Sequence, residues 1–131
     1  MSWGHALLSK QAPFSEGAPY TDPKVKKFLI LLTDGENTQD RFDSCSSSST
    51  SCVNRMNART EAACTNVKNA VTGADLNKIT LYTIRVIDGD ATLLRNCASA
   101  NSFFYDVRSA TELDAAFNEI ANSISQIRLT Q

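Results

Sequence analysis

The sequence feature that most constrains the fold is an unbroken apolar run that ends in a polar turn. Residues 28–32 (FLILL) are followed at once by Thr33, Asp34, Gly35 and Glu36. A short apolar run bounded by turn residues predicts a strand buried on both faces, as in a parallel sheet covered by helices. Ligands of such sheets bind beyond the carboxyl ends of the strands. The run therefore predicts a site at Asp34, whose carboxylate suits a hard cation such as Mg²⁺; the simpler alternative is that Asp34 only caps the turn.

The size and charge of the chain indicate one globular domain at most. Its 131 residues are 42% hydrophobic, and 13 basic against 14 acidic residues leave a net charge of −1. Nucleic acid is a poor partner because no long basic cluster occurs, and no apolar run approaches the roughly 20 residues that cross a bilayer. The N-terminus lacks the apolar core of a signal peptide. The chain begins as if in the middle of a domain, so we expect a fragment.

The four cysteines, Cys45, Cys52, Cys64 and Cys97, allow three pairings, and the sequence alone does not choose among them. We favour a disulfide between Cys45 and Cys52 within a loop, and one between Cys64 and Cys97 that joins two helices. The second would close a loop of about 34 residues, which is roughly 3–4 kcal/mol on the chain-entropy model. Structural zinc fits the spacings poorly, and four buried free thiols in a cytosolic protein are the other alternative. Two disulfides predict an oxidising, extracytoplasmic compartment.

The hydrophobic pattern predicts alternating strands and helices after the apolar run. Residues 36–51 are polar and serine-rich, which predicts a solvated loop. The further elements are a helix over 54–71, a strand over 79–87, a short helix capped by Asp90, a strand over 103–105, and a long helix that begins at the capping box Ser109–Glu112. The apolar stripe of this last helix is Leu113, Ala116, Phe117, Ile120, Ile124 and Ile127.

This order predicts an α/β fold with a partial doubly wound, Rossmann-like parallel sheet of about three strands and flanking helices. Residues 1–26 hold all three prolines and no sustained period, so we expect an irregular lead-in with at most a short helix near its start. Residues 27–131 carry the strand–helix repeats.

Several stretches, in order along nearly the whole chain, resemble a known family. They are FLILLTDGEN at 28–37, ITLYTI at 79–84, LRNCAS at 94–99, FYD at 104–106 and ELDAAFNEIA at 112–121. The chain resembles the C-terminal half of a von Willebrand factor A domain, and more closely the TadG-like proteins of the Flp/tight-adherence pilus assembly system of bacteria. The resemblance implies a truncated form of that domain.

The resemblance also implies a remnant of a metal-ion-dependent adhesion site. Members of the family ligate Mg²⁺ or Mn²⁺ through three loops, of which only the Thr-Asp-Gly-like turn is present, at Asp34; Asp88-Gly89 matches no ligand position. A single carboxylate competes weakly with water for Mg²⁺, because Mg²⁺ sites gain their affinity from several fixed oxygen ligands. We therefore expect metal in the intact domain and none in this fragment.

The function implied by the resemblance is a non-enzymatic binding or scaffold module of the cell envelope, in pilus assembly or adhesion. The implied partner is a protein of that machinery, and the implied location is periplasmic or cell-surface, with tethering by an upstream membrane segment absent here. The alternative is a phosphoryl-transfer type of hydrolase with Asp34 as nucleophile. Sites of that type use a second Asp two residues after the nucleophile, but position 36 is Glu36. The only histidine in the sequence, His5, lies near the N-terminus and so is not a natural base for a Ser or Cys nucleophile.

The family's sheet order also predicts an exposed edge. Its first strand lies beside the strand at 28–32 and would precede Met1, so an apolar strand edge would be left open. We expect a homodimer or a segment swap across this edge, or a lead-in that folds back to cover it.

Overall fold

The computed structural model describes residues 1–39, 47–70 and 78–129, with the backbone alone for 127–129. The helices among these residues are α1 (Ser2–Leu8), α2 (Thr50–Lys68), α3 (Ala91–Cys97) and α4 (Ala110–Leu129). The strands are β1 (Lys27–Thr33), β2 (Ile79–Val86) and β3 (Phe104–Val107), the last preceded by a 3₁₀ turn at Asn101–Phe103. None of the described helices is long and apolar enough to cross a membrane.

The three strands form one parallel sheet in the order β1–β2–β3, which confirms the predicted fold class. β1 pairs with β2 from Lys27 opposite Ile79 to Thr33 opposite Arg85. β2 pairs with β3 from Thr83 opposite Phe104 onward. Each crossover carries a helix, as parallel neighbours require. All three strands therefore end at the same edge of the sheet.

The core lies on both faces of β2. On one face the buried side chains join β2 to α2 and α3: Cys64, Val67, Ile79, Leu81 and Cys97. On the other face they join β2 and β3 to α4: Tyr82, Ile84, Val107, Ala116 and Ile120. The apolar stripe predicted for α4 is thus the face that packs, although Phe117 stays exposed at its margin; the side chain of Ile127 lies outside the described residues.

β1 is not buried on both faces, so the prediction from its apolar run is wrong on this point. Ile30 and Leu32 are 38% and 44% exposed. β1 lies at the edge of the sheet, and α4 packs over β2 and β3 instead. The strand that satisfies the prediction is the central one, β2, in which residues 81–84 are all buried.

The short helix expected near the start of the lead-in is present as α1, which packs against β1, and residues 9–26 form no helix or strand, as predicted. The Lys27 ammonium donates hydrogen bonds to the carbonyl oxygens of Leu8 and Ala18 and lies 4.1 Å from the centre of the Tyr20 ring. Lys27 is only 4% exposed, and this burial lowers the pKa of its ammonium. One buried charge thus holds the lead-in against the start of β1.

The predicted disulfide between Cys64 and Cys97 is confirmed. It joins α2 to α3, with the two Cα atoms 5.1 Å apart and both residues fully buried. None of the described cysteines is a free thiol. Cys45 lies outside the described residues, so its bond to Cys52 stays a prediction.

Two helix starts show how local sequence acts. α2 begins at Thr50, four residues before the predicted start, and its N-cap Ser49 accepts from Cys52 and Val53 through its backbone carbonyl without a side-chain cap bond. α4 begins after Ser109, as predicted: Ser109 Oγ accepts from the Glu112 N–H at 3.2 Å. The Glu112 carboxylate reaches back to the N–H of Arg108, at 2.7 Å, one residue before the cap.

Candidate functional site

The candidate site lies where β1 and β2 end and α3 begins. The turns after the two strands touch at Gly35 and Gly89. Gly89 has φ +116°, and a Cβ there would come within 3.0 Å of the Gly35 carbonyl oxygen. Glycine is required at position 89 for both reasons, the positive φ and the close approach. The two turns are therefore packed backbone to backbone.

The turn after β1 is closed by its own threonine. Thr33 Oγ1 donates to the Gly35 carbonyl oxygen at 3.0 Å and accepts from the Gly35 N–H at 3.4 Å. Asp34, between them, is exposed and does not line the cavity described next. The structure thus places Asp34 at the carboxyl end of β1, as predicted, with its carboxylate in solvent.

A cavity of about 100 Å³ opens behind this turn. Its walls come from β1, the loop that follows it, α2 and the start of α3. The lining residues are Leu31, Thr33, Gly35, Glu36, Asn37, Asn57, Thr60, Asp90, Leu93 and Leu94. The inner wall is apolar and the rim is made of amide, hydroxyl and carboxylate groups.

A chain of side-chain hydrogen bonds forms that rim. Asn37 Nδ2 donates to Asn57 Oδ1 at 2.8 Å and to Thr60 Oγ1 at 3.2 Å. Asn57 Nδ2 donates in turn to Asp90 Oδ2 at 3.0 Å. The other Asp90 oxygen accepts the N–H of Leu93 at 2.9 Å, which is the predicted N-cap of α3. The network ties the loop after β1 to α2 and α3, and so fixes the base from which Asp34 projects.

The turn after β2 is strained. Ile87 has φ +64° and is 68% exposed, and the Asp88 N–H donates to the Val86 carbonyl across it at 2.6 Å. A positive φ at a β-branched residue is an outlier. Arg85 supports the turn: its Nε donates to the Gly89 carbonyl at 2.9 Å, and its Nη1 is 3.0 Å from an Asp106 oxygen.

The described residues do not make a complete site for Mg²⁺. No three His, Cys, Asp or Glu side chains cluster among them. Both Asp90 oxygens accept hydrogen bonds within the network, and the Thr33 hydroxyl is engaged in its own turn. Asp34 alone offers one ligand, whereas Mg²⁺ sites gain affinity from several fixed oxygens.

Sequence reasoning located Asp34 and the Asp90 cap but missed the polar rim. Asn57 and Thr60 are three residues apart on α2 and so share a face, which is an ordinary pattern for a solvated helix. Their partner Asn37 is 20 and 23 residues away. Only the packing of α2 beside the end of β1 brings these groups together.

Comparison with protein-family models, with curated proteins and with solved structures found no match to this chain.

Proposed function

We propose that this chain is a non-enzymatic binding or scaffold module of the bacterial cell envelope, in Flp/Tad pilus assembly or adhesion. The observation that carries the proposal is the position of Asp34. It follows a strand of a parallel sheet at the carboxyl edge, where ligands of such sheets bind. Its carboxylate is exposed, and the turn behind it is held by Thr33 and by the polar rim.

The disulfide between Cys64 and Cys97 supports an extracytoplasmic location. It is fully buried between two helices. Such a structural bond forms and persists in oxidising compartments and is rare in the cytosol. A periplasmic or cell-surface protein, resembling the TadG-like proteins, fits that chemistry.

In this proposal Asp34 is the one metal ligand that the described residues contribute. The other ligands come from loops outside these residues, and an acidic group of a partner protein completes the coordination of Mg²⁺ or Mn²⁺. The bound ion would supply a point of attachment for that carboxylate. The contribution of the described residues is positional, because the rim from Asn37 to Asp90 holds the loop after β1 against α2 and α3.

The test is a calorimetric titration with Mg²⁺ and with Mn²⁺. It compares this chain with a form extended upstream by about 150 residues, near the length of one domain. We expect binding in the extended form, loss of that binding in Asp34→Ala, and weak or no binding in the short chain. Asp114→Ala is the control, because Asp114 is an exposed aspartate on α4 and we assign it no ligand role.

Two results would overturn the proposal. Metal binding to the extended form that survives Asp34→Ala would remove the adhesion site from this turn. Hydrolysis of generic phosphate esters that is lost in Asp34→Ala and kept in Asp114→Ala would instead establish the phosphoryl-transfer chemistry.

A further inference from the structure

The sequence contains two Asp-Gly dipeptides, and each follows a strand of the sheet. Asp34-Gly35 comes after β1 and Asp88-Gly89 comes after β2. Both aspartates are exposed. Because glycine has no side chain to shield its amide nitrogen, an aspartate before a glycine is the one that most readily cyclises onto the main chain. By residue type alone the two dipeptides are equivalent.

The structure distinguishes the two dipeptides by the direction of the glycine N–H. The Gly89 N–H donates to Oδ1 of Asp88, the residue before it, with 2.8 Å between the nitrogen and the oxygen. Since the carboxyl carbon is bonded to that oxygen, the nitrogen lies close to the carbon that it would attack. A short separation of reacting groups, held in place before reaction, is what accelerates an intramolecular step.

The corresponding amide after β1 has a different partner. The Gly35 N–H donates to Thr33 Oγ1 at 3.4 Å, and the same hydroxyl donates to the Gly35 carbonyl oxygen at 3.0 Å. Both bonds tie the glycine to the residue before the aspartate. The Gly35 nitrogen is therefore directed to a hydroxyl oxygen and not to the carboxylate of Asp34.

We propose that Asp88-Gly89 is a site of spontaneous isomerisation of aspartate to isoaspartate, with water as the only co-reactant. The Gly89 nitrogen forms a bond to the side-chain carboxyl carbon of Asp88, and one carbon–oxygen bond of that carboxylate breaks. The N–H proton and one proton from solvent leave with the oxygen as water. The product of this step is a five-membered succinimide ring.

Hydrolysis of the ring completes the change. Water adds to one of the two ring carbonyl carbons, the bond from that carbon to the Gly89 nitrogen breaks, and the nitrogen regains its proton. The new carboxylic acid returns one proton to solvent. Addition at the side-chain carbon restores aspartate, whereas addition at the main-chain carbon gives isoaspartate, in which the main chain runs through the former side chain and is one methylene longer.

The turn after β2 is held at both ends, so we expect the added methylene to disturb it. The Asp88 N–H donates to the Val86 carbonyl oxygen at 2.6 Å, and the Gly89 carbonyl oxygen accepts from Arg85 Nε at 2.9 Å. Gly89 also packs so closely on Gly35 that a Cβ would come within 3.0 Å of its carbonyl oxygen. A longer main chain cannot keep all three contacts, so isomerisation should lower the stability of the fold.

On the proposed function, this change would also move the turn that carries Asp34. The modification itself requires no metal, and it is measured in EDTA. A failure of the isomerisation and a failure of the metal site are therefore distinguishable.

The experiment is a peptide map of the full chain after several weeks at neutral pH. Trypsin places the two dipeptides in separate peptides, residues 28–41 and 86–95. An isoaspartyl peptide has the same mass as its parent but a different retention time, and electron-transfer fragmentation locates the altered residue. We expect isoaspartate to form at position 88 at least about fivefold faster than at position 34.

Two controls separate the fold from the sequence. In concentrated urea with a reductant the chain is unfolded, and the two rates should become nearly equal. Asp88→Glu keeps the charge, but its longer side chain would have to close a six-membered ring, so the altered form of peptide 86–95 should disappear. Asp34→Glu should leave the rate at position 88 unchanged.

Melting of the aged chain tests the structural effect. A second transition should appear at lower temperature, and its share should match the isoaspartate content at position 88. Equal rates at the two aspartates in the folded chain, a faster rate at Asp34, or a ratio of rates that urea leaves unchanged would refute the proposed site. A single transition in chains rich in isoaspartate would refute the effect on the turn.

Discussion

Removal of the bond between Cys64 and Cys97 is the perturbation with the largest stability effect that the structure lets us calculate. The two residues lie on α2 and α3, fully buried, with a sequence separation of 33. The loop that the bond closes contains all of β2, the central strand of the sheet. Opening it therefore releases the part of the chain around which both halves of the core pack.

The size of the effect follows from loop entropy. A closed loop of about 34 residues lowers the entropy of the unfolded chain by roughly 13 cal/mol/K, which is about 4 kcal/mol at 25 °C. For a domain of this length, that loss lowers the melting temperature by roughly 10–20 °C. A loss of about 4 kcal/mol is a large share of the roughly 5–15 kcal/mol that is the whole free energy of unfolding of a typical domain.

Urea denaturation of Cys64→Ala/Cys97→Ala beside the parent chain measures this loss. With a slope of about 1.5–2 kcal/mol/M, the midpoint should fall by roughly 2–3 M. Cys64→Ala alone should cost nearly the same as the double variant, because either change removes the bond. The control is Cys45→Ala/Cys52→Ala, whose predicted loop of about eight residues should be worth only roughly 2.5 kcal/mol.

A loss below about 1 kcal/mol in the double variant would refute this reasoning. It would mean that the unfolded chain keeps α2 and α3 close without the bond, so that the bond constrains little. Single and double variants that differ by several kcal/mol would also contradict the account.

Three further predictions rest on single side chains. Lys27→Met should lower the free energy of unfolding by about 2–3 kcal/mol, because two partly buried carbonyls lose a charged donor, and trypsin should then cleave the lead-in of the chain faster. Ile87→Gly should raise the melting temperature by relieving a positive φ worth about 1 kcal/mol net at an exposed residue; a lower melting temperature would contradict it. Burial, and in second place Glu119, raise the pKa of the Tyr105 hydroxyl above its ordinary 10.0. The folded protein therefore favours the neutral hydroxyl, and the stability that this contributes is complete below the unfolded-state pKa and is lost as the pH rises through the folded-state pKa. Tyr105→Phe should therefore flatten the decline of stability in alkaline urea titrations.

Local signals in the sequence predicted much of the fold. β2 and the Asp90 cap of α3 were both predicted, because periodicity and caps depend on neighbours within about four residues. The disulfide between Cys64 and Cys97 was chosen from three possible pairings on the expectation of two helices, and α2 and α3 do bring the two sulfurs together.

The errors concern what lies beside each element. Residues 28–32 look like a central strand, but the sheet order puts them at an edge, where Ile30 and Leu32 are exposed. An apolar run indicates that a strand forms, but it does not indicate how many other strands pair with it. The anchor of the lead-in was also missed, because no local pattern indicates that the charge of Lys27 is buried.

The sequence by itself determined the alternation of strands and helices and the position of Asp34 just after a strand, since each depends only on residue type and spacing. The residue pattern of β1 does not show that it lies at the edge of the sheet, which the sheet order decides, and only the tertiary structure decided that Asn37, Asn57 and Asp90 meet in one rim. The physical reason is distance along the chain. Groups 20 to 33 residues apart meet only when helices pack on the sheet, and no local pattern records which surfaces that packing covers.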